Sequence, residues 1–100
     1  MFNIKENGIY TIKLNSGEEL VTKVSSKTDS FLLINDPVSI APGQQGMQMI
    51  PSMFTADIAE EIKLNINSIS ILAVTAEEVK VAYIEAVTGI KVPAKKLILG

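Results

Sequence analysis

The chain has 100 residues, 47% of them hydrophobic and 20% charged, with a formal net charge of −2. It contains no Cys and no His, and all nine basic residues are Lys. Disulfides, thiolate nucleophiles, zinc–thiolate centres and imidazole chemistry are thereby excluded, and so are bidentate arginine contacts to phosphate or guanine.

This composition is that of one folded domain, not of a disordered chain. Its core material is mainly Ile, Val and Leu, which favours strands. The apolar surplus in so small a domain favours self-association. The basic excess of a non-specific nucleic-acid binder is lacking. Met1 is not followed by a basic segment and an apolar core, so no signal peptide is expected. No apolar run reaches membrane-spanning length. These features give a cytoplasmic expectation, with no membrane partner.

Asn7-Gly8 is a turn signal ahead of the first strand. Alternating apolar residues predict strands over about 9–15 and 18–25, joined at Asn15-Ser16-Gly17. A polar cluster, Ser25 to Ser30, separates these from a third strand over about 31–40. Pro37 within that strand marks an edge or a kink. Ala41 to Gly46 is rich in turn residues and reads as a loop. Residues 47–54 read as a strand interrupted near Pro51, and 55–61 as a bend or short helical turn. Ile62, Leu64 and Ile66 alternate with Lys63, Asn65 and Asn67, which predicts a half-buried strand; another follows over 69–74.

Thr75-Ala76-Glu77-Glu78 has the form of a capping box, with Thr75 as N-cap. Val79, Tyr83, Ala86 and Ile90 recur at helical spacing, and Gly89 suits the C′ position. A helix is predicted over about 76–88. Its stripe, widened by Val81, Ile84 and Val87, must bury itself on the sheet or on a neighbouring subunit. The tail, 90–100, is expected to be extended, because Pro93 blocks a helix. Its apolar end, Leu97-Ile98-Leu99, is a candidate for docking on another chain.

The stretch 10–36, YTIKLNSGEELVTKVSSKTDSFLLIND, resembles the first motif of the Sm/LSm-like (Hfq-like) RNA-binding family. The matching residues are Leu14, Gly17, Val24, Asn35 and Asp36. Ile66 to Val74, INSISILAV, resembles the family's second motif. The two segments cover less than half of the chain. The resemblance implies a five-stranded, bent, antiparallel SH3-like barrel over about 9–74, here with a C-terminal helix, forming one domain over 1–100. The family opens with a helix; this chain places its helix last. The resemblance also implies a homo-oligomeric ring, formed when the fourth strand of one copy pairs with the fifth of the next. Single-stranded RNA is the implied partner.

Family RNA sites lie in two loops. In the first, Lys27-Thr28-Asp29-Ser30-Phe31, the resemblance gives roles to Lys27, Asp29 and Phe31. Phe31 either stacks on a base or heads the third strand as a core residue. In the second loop, Asn67 and Ser68 replace the family's basic pair. Asn67 either hydrogen-bonds a base edge or shapes the turn. Lys91, Lys95 and Lys96 either touch phosphate or form a solubilising face. The acidic pairs Glu60-Glu61 and Glu77-Glu78 do not form a metal site, since adjacent helical side chains diverge and the second pair suits the helix dipole. Met47, Met49 and Met53 near Phe54 read as adaptable packing. No enzyme and no cofactor are expected. Two functions remain open: a ring that holds single-stranded RNA, or an oligomeric scaffold without RNA.

Overall fold

A computed structural model describes residues 3–44, 46–57 and 59–89. The tail expectations, including Ile90 and the three tail lysines, lie outside the described residues. The secondary structure is mostly β, with one C-terminal helix. The strands are β1 (Gly8–Leu14), β2 (Glu19–Lys27), β3 (Phe31–Gly43), β4 (Gly46–Pro51), β5 (Ile62–Asn65) and β6 (Ile69–Val74); helix α1 spans Glu77–Gly89. They form one antiparallel sheet in the order β4-β3-β2-β1-β6, with β5 also paired to β3. Among the described residues six strands thus replace the expected five, and the sheet is not closed.

The β1–β2 hairpin closes where expected. Leu14 donates its N–H to the Glu18 carbonyl at 2.8 Å, and Gly17 takes a φ of 97°, which a residue with a Cβ adopts poorly. The third strand is longer than predicted. Pro42 and Gly43 look like loop residues, yet Pro42 pairs with Met47 and Gly43 with Gly46, which leaves a tight turn in place of the 41–46 loop. Ile66 and Asn67 leave the predicted strand and enter a 3-10 turn, Ile66–Ser68.

β3 changes partner midway. Its first half, Phe31 to Ile34, pairs with β5, and its second half, Val38 to Gly43, pairs with β4. The change occurs at a bulge. On β2 the register runs from Val21 to Lys23 while β3 runs from Val38 to Asn35, so β3 carries one extra residue. Asp36 absorbs it with a φ of 51°, a conformation that Asp tolerates better than most residues. Pro37 is therefore a kink in an interior strand.

The alternation of β1 and β2 sends apolar side chains to both faces. On the concave face, Tyr10, Ile12, Leu20, Val24, Leu32 and Ile34 form the main core, joined by Ile62 and Leu64 from β5 and Ile69 and Leu72 from β6. A core shared by all these strands requires the sheet to curl around it. On the other face, Val21 and Val38 pack with Tyr83 of α1, and Val79, Val87, Ile40 and Met49 surround them. The helix thus buries Val79, Tyr83 and Val87 against the sheet. Val81 and Ile84 stay exposed.

Thr75 does not act as the predicted N-cap. Its buried hydroxyl lies 3.0 Å from that of Thr11, and the first helical bond runs from Lys80 N–H to the Ala76 carbonyl, which makes Ala76 the cap residue.

Tyr83 links helix and bulge. It is 2% exposed. Its phenol oxygen accepts the Lys23 N–H of β2 at 3.1 Å and faces the Asn35 and Asp36 carbonyls of β3 at 3.1 and 2.9 Å. Burial pushes its pKa up from 10.0 to about 12; the Lys23 bond opposes this, the Asp36 charge adds to it, and the Thr22 hydroxyl opposes it. Between these values the unfolded phenol ionises while the folded one keeps its proton. The resulting stability is complete below pH 10 and is lost as pH rises toward 12. The loss is of the order of a few kcal/mol, at roughly 1.4 kcal/mol per pH unit. Tyr83→Phe is expected to cost about 1–3 kcal/mol at pH 7 by removing the phenol partner of the Lys23 N–H and the Asp36 carbonyl. It should also remove this part of the alkaline fall. Denaturant titrations of both proteins at pH 7, 10 and 12 check this; a constant stability difference would contradict it.

Candidate nucleic-acid interface

The two predicted site segments meet at one end of the sheet. The β2–β3 turn is built by Thr28. Its Oγ1 accepts the N–H groups of Ser30 at 3.3 Å and Phe31 at 3.0 Å, while its own N–H donates to the Phe31 carbonyl at 2.8 Å. Such a hydroxyl-centred turn needs no glycine. Lys27 and Asp29 are both exposed on it.

Phe31 heads β3 opposite Asn65, the last residue of β5. One residue on, the Ile66 N–H donates to the Ser30 carbonyl at 2.9 Å. The 3-10 turn carrying Asn67 and Ser68 is thus fastened to the turn carrying Lys27, Asp29 and Phe31. All five predicted residues share one rim.

A third turn joins them. Asn15, between β1 and β2, donates its side-chain amide to the Asn67 carbonyl at 2.8 Å and its N–H to the Ser68 carbonyl at 2.8 Å. Asn65 caps the 3-10 turn by accepting the Asn67 N–H on its Oδ1 at 2.8 Å. The turn-shaping role considered for Asn67 therefore belongs to the Asn65 side chain. Among the described residues the Asn67 side-chain amide is exposed and has no partner. It presents both donors and an acceptor to solvent.

Sequence reasoning missed Asn15, Asn65 and Lys63 at this rim. The Asn65-Ile66-Asn67 spacing carried a usable signal, because an Asn two residues before another can bond its backbone N–H. Lys63 could not be placed from sequence, as it depends on the β3–β5 register. Its ammonium lies 5.7 Å from the Phe31 ring centroid, within cation–π range. Phe31 is half-buried. The rim therefore offers an aromatic ring, the unpaired Asn67 amide and the lysines Lys27 and Lys63, with Asp29 as a local negative charge. That arrangement can stack one base and bond its edge, with few contacts to phosphate.

The other acidic groups do different work. Glu61 accepts a hydrogen bond from Ser25 at 2.6 Å, and Glu77 pairs with Lys80 at 3.9 Å. Glu18 accepts from buried Ser39, whose hydroxyl also lies 3.0 Å from that of Ser52. Among the described residues no helix is long and apolar enough to cross a membrane. No protein-family model matches the chain, and no curated protein matches it.

Asn65→Ala is expected to lower stability by about 0.5–2 kcal/mol through loss of the cap. Asn67→Ala should change it by less than about 0.5 kcal/mol, its side chain being exposed and unpaired. Thermal melts of the two variants check this, and equal losses would contradict the assignment.

Proposed function

We propose that this chain is a divergent Sm-like (Hfq-like) subunit. Its curled sheet is a small barrel left open, and it assembles with copies of itself into a cytoplasmic ring that holds single-stranded RNA. The observation that carries this reading is the convergence of the two motif turns, joined by the 2.9 Å bond from Ile66 N–H to the Ser30 carbonyl. Phe31 stacks on a base, Asn67 bonds a base edge, and Lys27 and Lys63 meet phosphate, with Asp29 and Ser68 flanking them. The role is binding, not catalysis, in keeping with a chain that lacks His and Cys.

Ring assembly is supported by the sheet's two ends. β4 and β6 are the terminal strands of the sheet order. Both present exposed apolar side chains: Met47 and Ile50 on β4, Ile71 and Val74 on β6, with Met47 68% and Val74 73% exposed. Pairing unlike edges of successive copies is a heterologous contact that closes into a ring and removes both edges.

A second reading, a scaffold without RNA, is favoured by one observation. Phe31 is half-buried and already carries Lys63 over its ring, which gives it a packing role within the chain.

Light scattering at micromolar concentration should report an oligomer, and a monomer would contradict the ring. Fluorescence anisotropy with uridine- and adenine-rich RNA should show weak binding. Its salt dependence should be shallow, since each phosphate contact contributes a slope of only about −0.7 for single strands. Phe31→Ala should lose about 1–3 kcal/mol per stacked base, and Asn67→Ala should lose less. If both variants stay assembled and bind like the parent, the rim is not the site. An assembled parent that binds no RNA at low salt establishes the scaffold reading.

A further inference from the structure

The helix-bearing face carries a groove of about 510 Å³ that no rim residue lines, although two of its lining residues, Met47 and Val74, also stand on the proposed ring edges. It lies beside the first turns of α1 and crosses the sheet's convex face. Val21, Ile40, Met49, Val74 and Val79 form its apolar lining. Among the described residues its charged lining is two carboxylates, Glu19 and Glu78, without a lysine. An occupant must therefore be apolar with adjacent positive charge. That chemistry disfavours fatty acids and other anionic amphiphiles, whose head groups would meet Glu19 and Glu78.

The chain itself contains such a segment. Beyond Gly89 the sequence runs Ile90-Lys91-Val92-Pro93-Ala94-Lys95-Lys96-Leu97-Ile98-Leu99-Gly100. Two lysines directly precede three large aliphatic residues. We propose that Lys95 to Leu99 docks in the groove of its own chain, with Leu97 and Leu99 against the apolar lining and Lys95 and Lys96 facing Glu19 and Glu78.

The reach is sufficient. From Gly89 back to Glu78 the helix covers about 16 Å, at about 1.5 Å per residue. The residues from Gly89 to Leu97 span up to about 26 Å when extended, at about 3.3 Å per residue. Pro93 lacks a backbone N–H and so disfavours a helix continuing through this stretch of sequence. Tethering makes docking on the same chain intramolecular, which raises the effective concentration above that of any free partner. The seated segment would cover Val74 and Val79 and add apolar burial to a sheet face that α1 covers only in part. This inference is independent of RNA binding.

The absence of cysteine makes the test direct. A nitroxide is attached to a Gly100→Cys variant of the full chain carrying ¹³C-methyl methionine. Met47 and Met49, which both line the groove, are the reporters. Both methyl resonances are expected to broaden strongly and to recover when Leu97→Asp and Leu99→Asp are added. Reversing Lys95 and Lys96 to Glu should release the segment as well. In a co-refolded mixture, where nitroxide chains lack ¹³C and ¹³C chains lack nitroxide, clearly weaker broadening is expected. Absence of broadening in the doubly labelled chain would overturn the proposal. Equal broadening in the mixture would overturn it too, by assigning the groove to a second copy's tail. Broadening that survives the lysine reversal would overturn the ionic pairing.

Discussion

One hydroxyl group holds the two halves of this molecule in register. The bulge at Asp36 gives β3 an extra residue opposite β2, which breaks the regular ladder between the Val21–Val38 and Lys23–Asn35 pairs. The Tyr83 phenol fills that break, accepting from one strand and facing two carbonyls of the other. A backbone N–H shut away from water without a partner costs more than an ordinary hydrogen bond gains, so helix α1 stabilises the bulge by supplying the phenol to Lys23, while the Thr22 hydroxyl donates to the Asn35 carbonyl at 2.8 Å. In turn, the bulge holds the helix in place. Val79 and Val87 supply non-directional packing on the convex face, whereas the phenol admits one seating only.

The consequences run along β3 in both directions. The kink lets the first half of the strand pair with β5 and the second half with β4. The β5 pairing draws the 3-10 turn alongside the β2–β3 turn and creates the rim that carries Phe31 and Asn67. The β4 pairing carries the other half away, and β4 becomes one terminal strand of the sheet. The proposed RNA rim and the proposed ring edges therefore both descend from a single extra residue in the middle of β3. The same kink sets Ile40 and Met49 beside Val79, where they line the groove on the helix side.

Much of this was legible in the sequence, wherever period and environment agree. Strands β1, β2 and β6 follow their alternation, because each has one face on the curled core. Helix α1 follows its spacing, because Val79, Tyr83 and Val87 are one turn apart and face one surface. The remaining features depended on partners distant in sequence. Pro42 and Gly43 read as loop, yet the ladder to β4 keeps them extended. Ile66 and Asn67 alternate like strand residues, but the Asn65 side chain and the Asn15 amide fold them into a turn. Thr75 has the form of an N-cap, yet its hydroxyl is directed to Thr11, 64 residues away. Of the rim residues, Lys27, Asp29, Phe31, Asn67 and Ser68 were accessible through the family resemblance. Lys63 was not, because its place over the Phe31 ring follows from the β3–β5 register.

Site-resolved amide hydrogen exchange on the intact protein tests the central claim, that the Tyr83 hydroxyl seals the bulge. The decisive amide is that of Lys23, which donates to the phenol across the break in the ladder. The account predicts that it exchanges as slowly as that of Val24, opening only when the fold as a whole opens. A Lys23 amide that exchanges at the rate of surface turns while Val24 stays protected would contradict it.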